Sequence, residues 1–281
     1  MRYVGANTAP ASLSRGYRAV LEHVGPKRAE SRLWSRPPMI DAKSRLPRLL
    51  LAGLAGSLLS TPALAETAQP PASVTAQTAT VLYPVVARKS PSAGSGKVAD
   101  VAFYTAFSRS DNVLLVSDLS VNPNGQVEWI KVHLPGRPNG RMGWLPRAAV
   151  MLGSTNTRIK VRLKSRVVET YIKGGLTGTY RAAVGTGGTP TPTGHFSIQD
   201  PYHTSGSEAN TYGPWILTLT AYSNVLKTFG AGPGTVAIHG WPDASVIGKA
   251  ASHGCIRVTN ASVAAIAKVA KGGTPVDIVD D

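Results

Sequence analysis

Short apolar runs that alternate with polar residues dominate residues 79–281 and predict a chain built mainly of β-strands. In the first part these runs are Thr80–Val86, Val98–Phe107, Val113–Ser117, Val127–His133 and Gly143–Leu145. Turn clusters such as Asn122-Pro-Asn-Gly125 and Pro135-Gly-Arg-Pro-Asn-Gly140 separate them, which predicts a small all-β barrel over residues 79–152. A second unit, 153–281, opens at Ser154–Thr157 and carries the alternating runs Arg158–Leu163 and Arg166–Ile172. Gly174-Gly175 reads as the turn that leads into Gly178–Val184. The periodicity changes once. After Asn260 as N-cap, Ala261–Lys271 puts Val263, Ile266, Ala267 and Ala270 on one face, with Gly272-Gly273 as stop. One short helix is therefore predicted, followed by a closing strand at Pro275–Val279. No period of 20–50 residues recurs, which argues against a repeat architecture.

Residues 39–65 break this pattern. Lys43, Arg45 and Arg48 precede the apolar stretch Leu49–Leu59, and Ala63-Leu-Ala65 follows. That order is a basic region, an apolar region and a small-residue cleavage site, as in a secretory signal peptide. The apolar stretch falls short of the ~20 residues a spanning helix needs, so cleavage after Ala65 is expected rather than a stable transmembrane span. Met39 then reads as the natural start, and residues 1–38 as a non-native extension that should not be folded. Residues 66–78, rich in Ala, Pro, Gln and Thr, read as a linker. The exported location expected is periplasm or cell wall, with transient tethering if the signal stays uncleaved.

The formal charge of the whole chain is +15; without residues 1–65 it falls to +8. A positive exported protein is drawn to an anionic wall polymer, although charge of this size also serves solubility alone. No nucleic-acid motif or aromatic-interleaved basic stripe is present, which removes nucleic acid as a partner.

Cys255 is the only cysteine, and an exported chain with one unpaired thiol calls for an explanation. It lies in Ser252-His253-Gly254-Cys255-Ile256-Arg257, twelve residues downstream of Val236-Ala-Ile-His239-Gly240. A thiol of ordinary pKa is a few per cent thiolate at neutral pH, so a catalytic one needs a base or a cation nearby. His253 shares one side of an extended segment with Cys255, and His239 ends an apolar run that could lie beside it. Gly254 removes a side chain where a carbonyl must approach, and would let the Gly254 and Cys255 N–H groups face a developing oxyanion. The bland alternative is a buried structural cysteine among ordinary histidines, and the clustering of two His, a Gly and a Ser weighs against it. One Cys and two His could supply three metal ligands, but their spacing matches no zinc pattern, so no metal and no cofactor is expected.

These two segments together resemble the signature of the L,D-transpeptidase (YkuD-type) catalytic family, and Thr189-Pro-Thr-Pro-Thr-Gly-His-Phe-Ser-Ile198 resembles that family's Pro-Thr-Pro-x-Gly-x-Phe segment. The likeness covers about residues 157–279. More weakly, Val127–Leu134, a glycine-bearing loop and Arg141–Pro146 resemble the last hairpin of bacterial SH3-like domains. The family implies a mixed-sheet β-sandwich whose site lies under a flap, here within Gln199–Gly230.

The resemblance also implies chemistry. Cys255 carries over as nucleophile and His239 as general base, with the Gly240 carbonyl orienting the imidazole. His253 carries over as an oxyanion-side or second-layer group, Gly254 as an oxyanion donor, and Ser252 as the residue that holds the turn. Arg257 is a candidate grip for a stem carboxylate, against the rival reading of a surface ion pair. His195 and His203 read as structural or flap residues. The implied partners are peptidoglycan stem peptides as donor and acceptor: the thiol displaces terminal D-alanine from a tetrapeptide, and an amine of a second stem takes the acyl group in a 3→3 cross-link. Water as acceptor would make the same site an L,D-carboxypeptidase. A non-catalytic wall-binding protein is the third reading. An NlpC-type endopeptidase is disfavoured because there the Cys precedes the His. The Trp241-Pro242-Asp243 run departs from the polar residue many family members carry after the glycine, which bears on acceptor choice.

Overall fold

The computed structural model describes residues 75–229 and 232–281. The signal-peptide, N-terminal-extension and most of the linker readings lie outside them. Seven strands make the first sheet: β1 Ala76–Val81, β2 Val85–Arg88, β3 Lys97–Val101, β4 Val113–Val121, β5 Val127–His133, β6 Met142–Pro146 and β7 Val150–Thr155. Their order is β3-β2-β6-β5-β4-β1-β7, every pair antiparallel. Ala79, Val81, Ile130, Val132 and Leu145 form its buried core.

The remaining chain runs β8 Thr157–Arg162, β9 Val167–Ile172, β10 Gly175–Arg181, β11 Val184–Gly185, β12 Gly194–His203, α1 Gly206–Tyr212, β13 Trp215–Tyr222, β14 Thr235–Gly240, β15 Ala250–Ser252, β16 Ile256–Val258, α2 Asn260–Val269 and β17 Pro275–Val279. Eight of these strands form a mixed sheet, β10-β9-β8-β17-β12-β13-β14-β16, parallel at β8–β17 and β14–β16. Strands β11 and β15 pair separately and in parallel. Leu217, Leu219, Ile238, Ile256, Val263 and Ile266 share one core, so α2 covers one face of the sheet. The other face of β13, β14 and β16 is left to line a cleft. Among the described residues no helix is long and apolar enough to cross a membrane.

The mainly β expectation matches the structure, but several boundaries move. Thr80–Val86 is two strands, because Pro84 between them has no N–H to give a ladder. The predicted linker end, Ala76–Thr78, is strand, paired with Gly153–Thr155 of β7. The predicted unit boundary at 152/153 consequently falls inside β7. The described residues hold two α-helices rather than one, since α1 lies in a polar segment. Thr259, not Asn260, caps α2: its hydroxyl accepts from the Ser262 N–H at 3.1 Å. The predicted flap, Gln199–Gly230, also takes in β13, which is almost wholly buried between β12 and β14 and belongs to the core.

Two sets of contacts join the first sheet to the second. Asp200, fully buried on β12, accepts from the N–H groups of Phe107 (2.8 Å) and Ser108 (3.1 Å) and from the Ser108 hydroxyl (2.5 Å). Arg137 donates to the carbonyls of Ser223, Leu226 and Pro233, and Asn139 exchanges hydrogen bonds with the backbone of Tyr222. A buried carboxylate is tolerated when its oxygens are satisfied by donors. Asp200→Ala leaves three donors without their acceptor and is expected to cost about 3 kcal/mol, read as a lower urea midpoint at unchanged slope. An unchanged midpoint would mean that this link carries no stability.

Candidate active site

Strand register assembles the site. Tyr202 of β12 pairs with Ile216 of β13, Ile216 with His239 of β14, and His239 with Arg257 of β16. These four residues form one row across the sheet and point to one face. Cys255 continues the β16 register one residue before the strand, opposite Ala237, and so shares the face of His239 and Arg257 as a diagonal neighbour. The β14–β16 pairing is parallel, which lets residues from two distant segments meet without a hairpin. Tyr202, Ile216, Ala237, His239, Cys255 and Arg257 all line a cleft of about 370 Å³ that also includes Tyr212, Phe229, Trp241 and His253.

His239 is buried, and its Nδ1 lies 2.7 Å from the Gly240 carbonyl. A carbonyl can only accept, so Nδ1 carries the proton and Nε2 is left as a lone-pair base. Burial lowers the His239 pKa to about 4, with the Gly240 carbonyl opposing and Arg257 adding to the depression. Tyr212 meets the ring edge-on at 5.1 Å. That contact depends on the Gly240 and Gly213 backbones: a Cβ on Gly240 would sit 3.0 Å from the Gly213 Cα and 3.1 Å from the Tyr212 carbonyl. Burial pushes the Cys255 thiol above its ordinary value, while the Ala237 N–H and Arg257 pull the other way. The resting pair is thus neutral thiol and neutral imidazole, an arrangement suited to general-base activation at the moment of attack.

The turn that carries the thiol is braced from two sides. The Ser252 hydroxyl donates to the Cys255 carbonyl at 2.6 Å and accepts from the Gly254 N–H at 3.1 Å. This corrects the expectation that Gly254 supplies an oxyanion donor, because its N–H is already engaged. The Cys255 N–H has no acceptor among the described residues and is the backbone donor left for that task. Gly254 has φ +115°, a left-handed conformation that side chains disfavour, whereas a Cβ there would meet only ordinary contacts. Conformation, then, is what requires glycine. On the other side Thr191 accepts from the Gly185 N–H and donates to the Gly254 carbonyl, both at 2.9 Å. Thr189 donates to the Ser252 carbonyl at 3.2 Å.

The sequence reading missed Thr191 as a site residue, although it lies within the motif that carried the resemblance. Thr191→Val leaves a buried N–H and a buried carbonyl unpaired. It is expected to cost about 2 kcal/mol of stability and to slow reaction at Cys255 about tenfold, with Thr191→Ser restoring both. Melting curves and adduct-formation rates check it, and full reactivity in Thr191→Val would remove the bracing role.

The other expected residues are distributed as follows. His253 is exposed and tilts against Phe229 at 5.6 Å, at the cleft mouth rather than beside the thiol. Arg257 has its guanidinium carbon 3.6 Å from the centre of the Trp241 ring, and donates to the Ala251 carbonyl at 3.1 Å. Its Nε is buried with no partner among the described residues. It has no ion-pair partner among the described residues either, so the surface-ion-pair reading is not what the structure contains. Trp241, flagged as the departure from the family pattern, is thus the platform that holds Arg257. His195 bonds Asp277 at 2.5 Å and His203 meets Trp215 edge-on at 5.2 Å, both away from the row.

Residues 156–278 match the family model described as the L,D-transpeptidase catalytic domain, YkuD. A Bacillus licheniformis protein bearing the name L,D-transpeptidase YkuD is 36% identical over 121 residues, which is 43% of this chain and 64% of that protein, so the chain spans just under two thirds of its length. An L,D-transpeptidase from Mycobacterium tuberculosis aligns over 72% of this chain and 98% of its own, at 14% identity and a TM-score of 0.41. One from Enterococcus faecium aligns over 44% of this chain and 49% of its own, at 22% identity and a TM-score of 0.34. Residues 156–278 of this protein are an L,D-transpeptidase catalytic domain of the YkuD family.

Proposed function

We propose that the protein is an exported peptidoglycan L,D-transpeptidase that forms 3→3 cross-links through a thioester on Cys255, working in the periplasm or cell wall. The observation that carries this reading is the His239–Cys255 diagonal with the Nδ1 proton fixed on Gly240, which leaves Nε2 free on the face that holds the thiol. In the first step the Cys255 sulfur bonds to the carbonyl carbon of the third stem residue and its proton passes to His239. The bond to D-alanine then breaks, and the leaving amine takes that proton back. Charge on the carbonyl oxygen is met by the Cys255 N–H. In the second step an amine of another stem attacks the thioester, loses a proton to His239, and the sulfur departs and is reprotonated.

Arg257 grips the donor's carboxylate: its guanidinium is held in the cleft wall by Trp241 and still has unpaired donors. Ser252 and Thr191 keep the thiol in place. We read the N-terminal unit as SH3-like on the hairpin of β5 and β6, with Trp144 on its second strand, and propose attachment to wall polymer as its role.

The experiment is intact mass spectrometry of the mature protein with stem tetrapeptide, alongside Cys255→Ala. Cysteine-dependent loss of D-alanine together with peptide dimer supports cross-linking. Loss of D-alanine without dimer points to an L,D-carboxypeptidase, and no cysteine-dependent change would sink the enzyme reading in favour of an inert wall-binding protein.

A further inference from the structure

The cleft extends past the catalytic pair to a residue of the N-terminal sheet. Phe107, on the loop after β3, lines it together with Tyr202, Glu208, Thr211 and Tyr212. The Phe107 ring stacks on Tyr202 at 5.3 Å with 17° between planes, yet Phe107 is 56% exposed. Leaving that much aromatic surface in water is unfavourable. The loop does not merely drift there: the buried Asp200 carboxylate takes both backbone N–H groups at the loop tip and fixes the ring in position.

A second observation gives the platform a chemistry. The Tyr202 hydroxyl donates to Glu208 Oε1 at 3.0 Å, and burial followed by the Glu208 hydrogen bond keeps that phenol protonated. Glu208 stands one turn of α1 before Tyr212, so both face the cleft, and Tyr212 touches His239. An apolar shelf beside a carboxylate suits an aliphatic chain that ends in an ammonium group, collected there before the group moves on, as the free amine, to the thioester.

Order along the row then decides which substrate uses it. The sequence of strands places Tyr202, Ile216, His239 and Arg257 in a line, with Cys255 at the Arg257 end. Tyr202 is two strand spacings from His239, about 10 Å, on the side away from the thiol. The amine that opens the thioester must hand its proton to His239, so it comes in from the His239 side. Its nitrogen bonds to the thioester carbonyl carbon, the C–S bond breaks, and the sulfur regains the proton held by His239.

We propose that Phe107, Tyr202 and Glu208 form the acceptor subsite, so that the N-terminal unit supplies part of the recognition of the second stem's diamino side chain. This rests on the thioester reading above. The test is competition between amine and water for the thioester in the full mature chain, read as the ratio of cross-linked dimer to hydrolysed tripeptide at a sub-saturating acceptor tetrapeptide concentration. Phe107→Ala is expected to lower that ratio about tenfold, and Phe107→Tyr to restore it. Glu208→Gln is expected to lower it about fivefold, and less so in high salt, where a carboxylate–ammonium attraction is screened.

An unchanged ratio in both Phe107→Ala and Glu208→Gln overturns the subsite. So does a lowered ratio in Phe107→Ala that Phe107→Tyr fails to recover while the melting curve has shifted, since that marks a structural role. Wild-type protein whose thioester only hydrolyses overturns the subsite but leaves the thioester chemistry standing. Wild-type protein that forms no thioester overturns the proposed function, and the subsite with it.

Discussion

Cys255→Ala is expected to leave stem tetrapeptide intact, with D-alanine release reduced about 10⁴-fold or more and no acyl adduct on the protein. In the proposed mechanism the thiol forms the covalent intermediate, and the hydroxyls that brace its turn are committed elsewhere. Ser252 already donates to the Cys255 carbonyl and accepts from Gly254, so it is not available to substitute. Thr191 is tied between Gly185 and Gly254. Alanine fits the site, because Cys255 sits in a braced turn whose hydrogen bonds are made by the backbone and by Ser252, so the melting curve should hardly move. D-alanine release from the variant within tenfold of the parent would rule out Cys255 as nucleophile.

The second large effect belongs to His239. Removing the base, His239→Ala, should slow thioester formation by about 10²–10⁴-fold. Its environment also predicts a pH profile. With a pKa of about 4 the imidazole is neutral through the physiological range, and burial raises the thiol pKa, so the reactive protonation state is the resting one. The free-enzyme rate for thioester formation should therefore show no step at the ordinary histidine value of 6.5, and should fall only as the pH approaches 4. An acid limb centred at 6.5 or above would mean that a different group, or a thiolate–imidazolium pair, governs the reaction.

The stability linkage has a definite sign. A histidine with a depressed folded pKa binds its proton more readily when unfolded, so its contribution is complete above 6.5 and is lost as the pH falls from there toward 4. Urea midpoints for the parent should drop across that window more steeply than those of His239→Ala.

The chemistry was easier to read in the sequence than the machinery around it. Cys255 and His239 stand in short runs whose residue types are unusual in combination, so both could be picked out without coordinates. Their meeting depends on a parallel β14–β16 pairing, which leaves no local signal because the two segments do not share a turn. Gly254 stands out in the sequence, but its backbone angle and the engagement of its N–H by Ser252 are visible only in the fold. The helix α1 was invisible because Gly206–Tyr212 has no apolar period and no buried residue. Asp200, Thr191 and Phe107 were missed for a common cause. Each acts through a partner remote in sequence, Phe107 and Ser108 for Asp200, Gly254 for Thr191 and Tyr202 for Phe107, and pattern along a single strand carries no trace of such pairings.

The Asp200 and Arg137 links bear on how such a chain can be recombined. The catalytic family's boundary falls at residue 156, yet the donors that satisfy Asp200 and the guanidinium that ties Ser223, Leu226 and Pro233 together lie before it. A fragment cut at that boundary would lose the loop that caps Asp200, opening that carboxylate to water, and would carry a cleft wall released from its tie. Exchange of the first unit for another barrel would inherit the same defects unless the newcomer brought two matching loops. The two units are therefore bound to change together, and the line drawn between them by sequence similarity is not a line along which the protein can be taken apart.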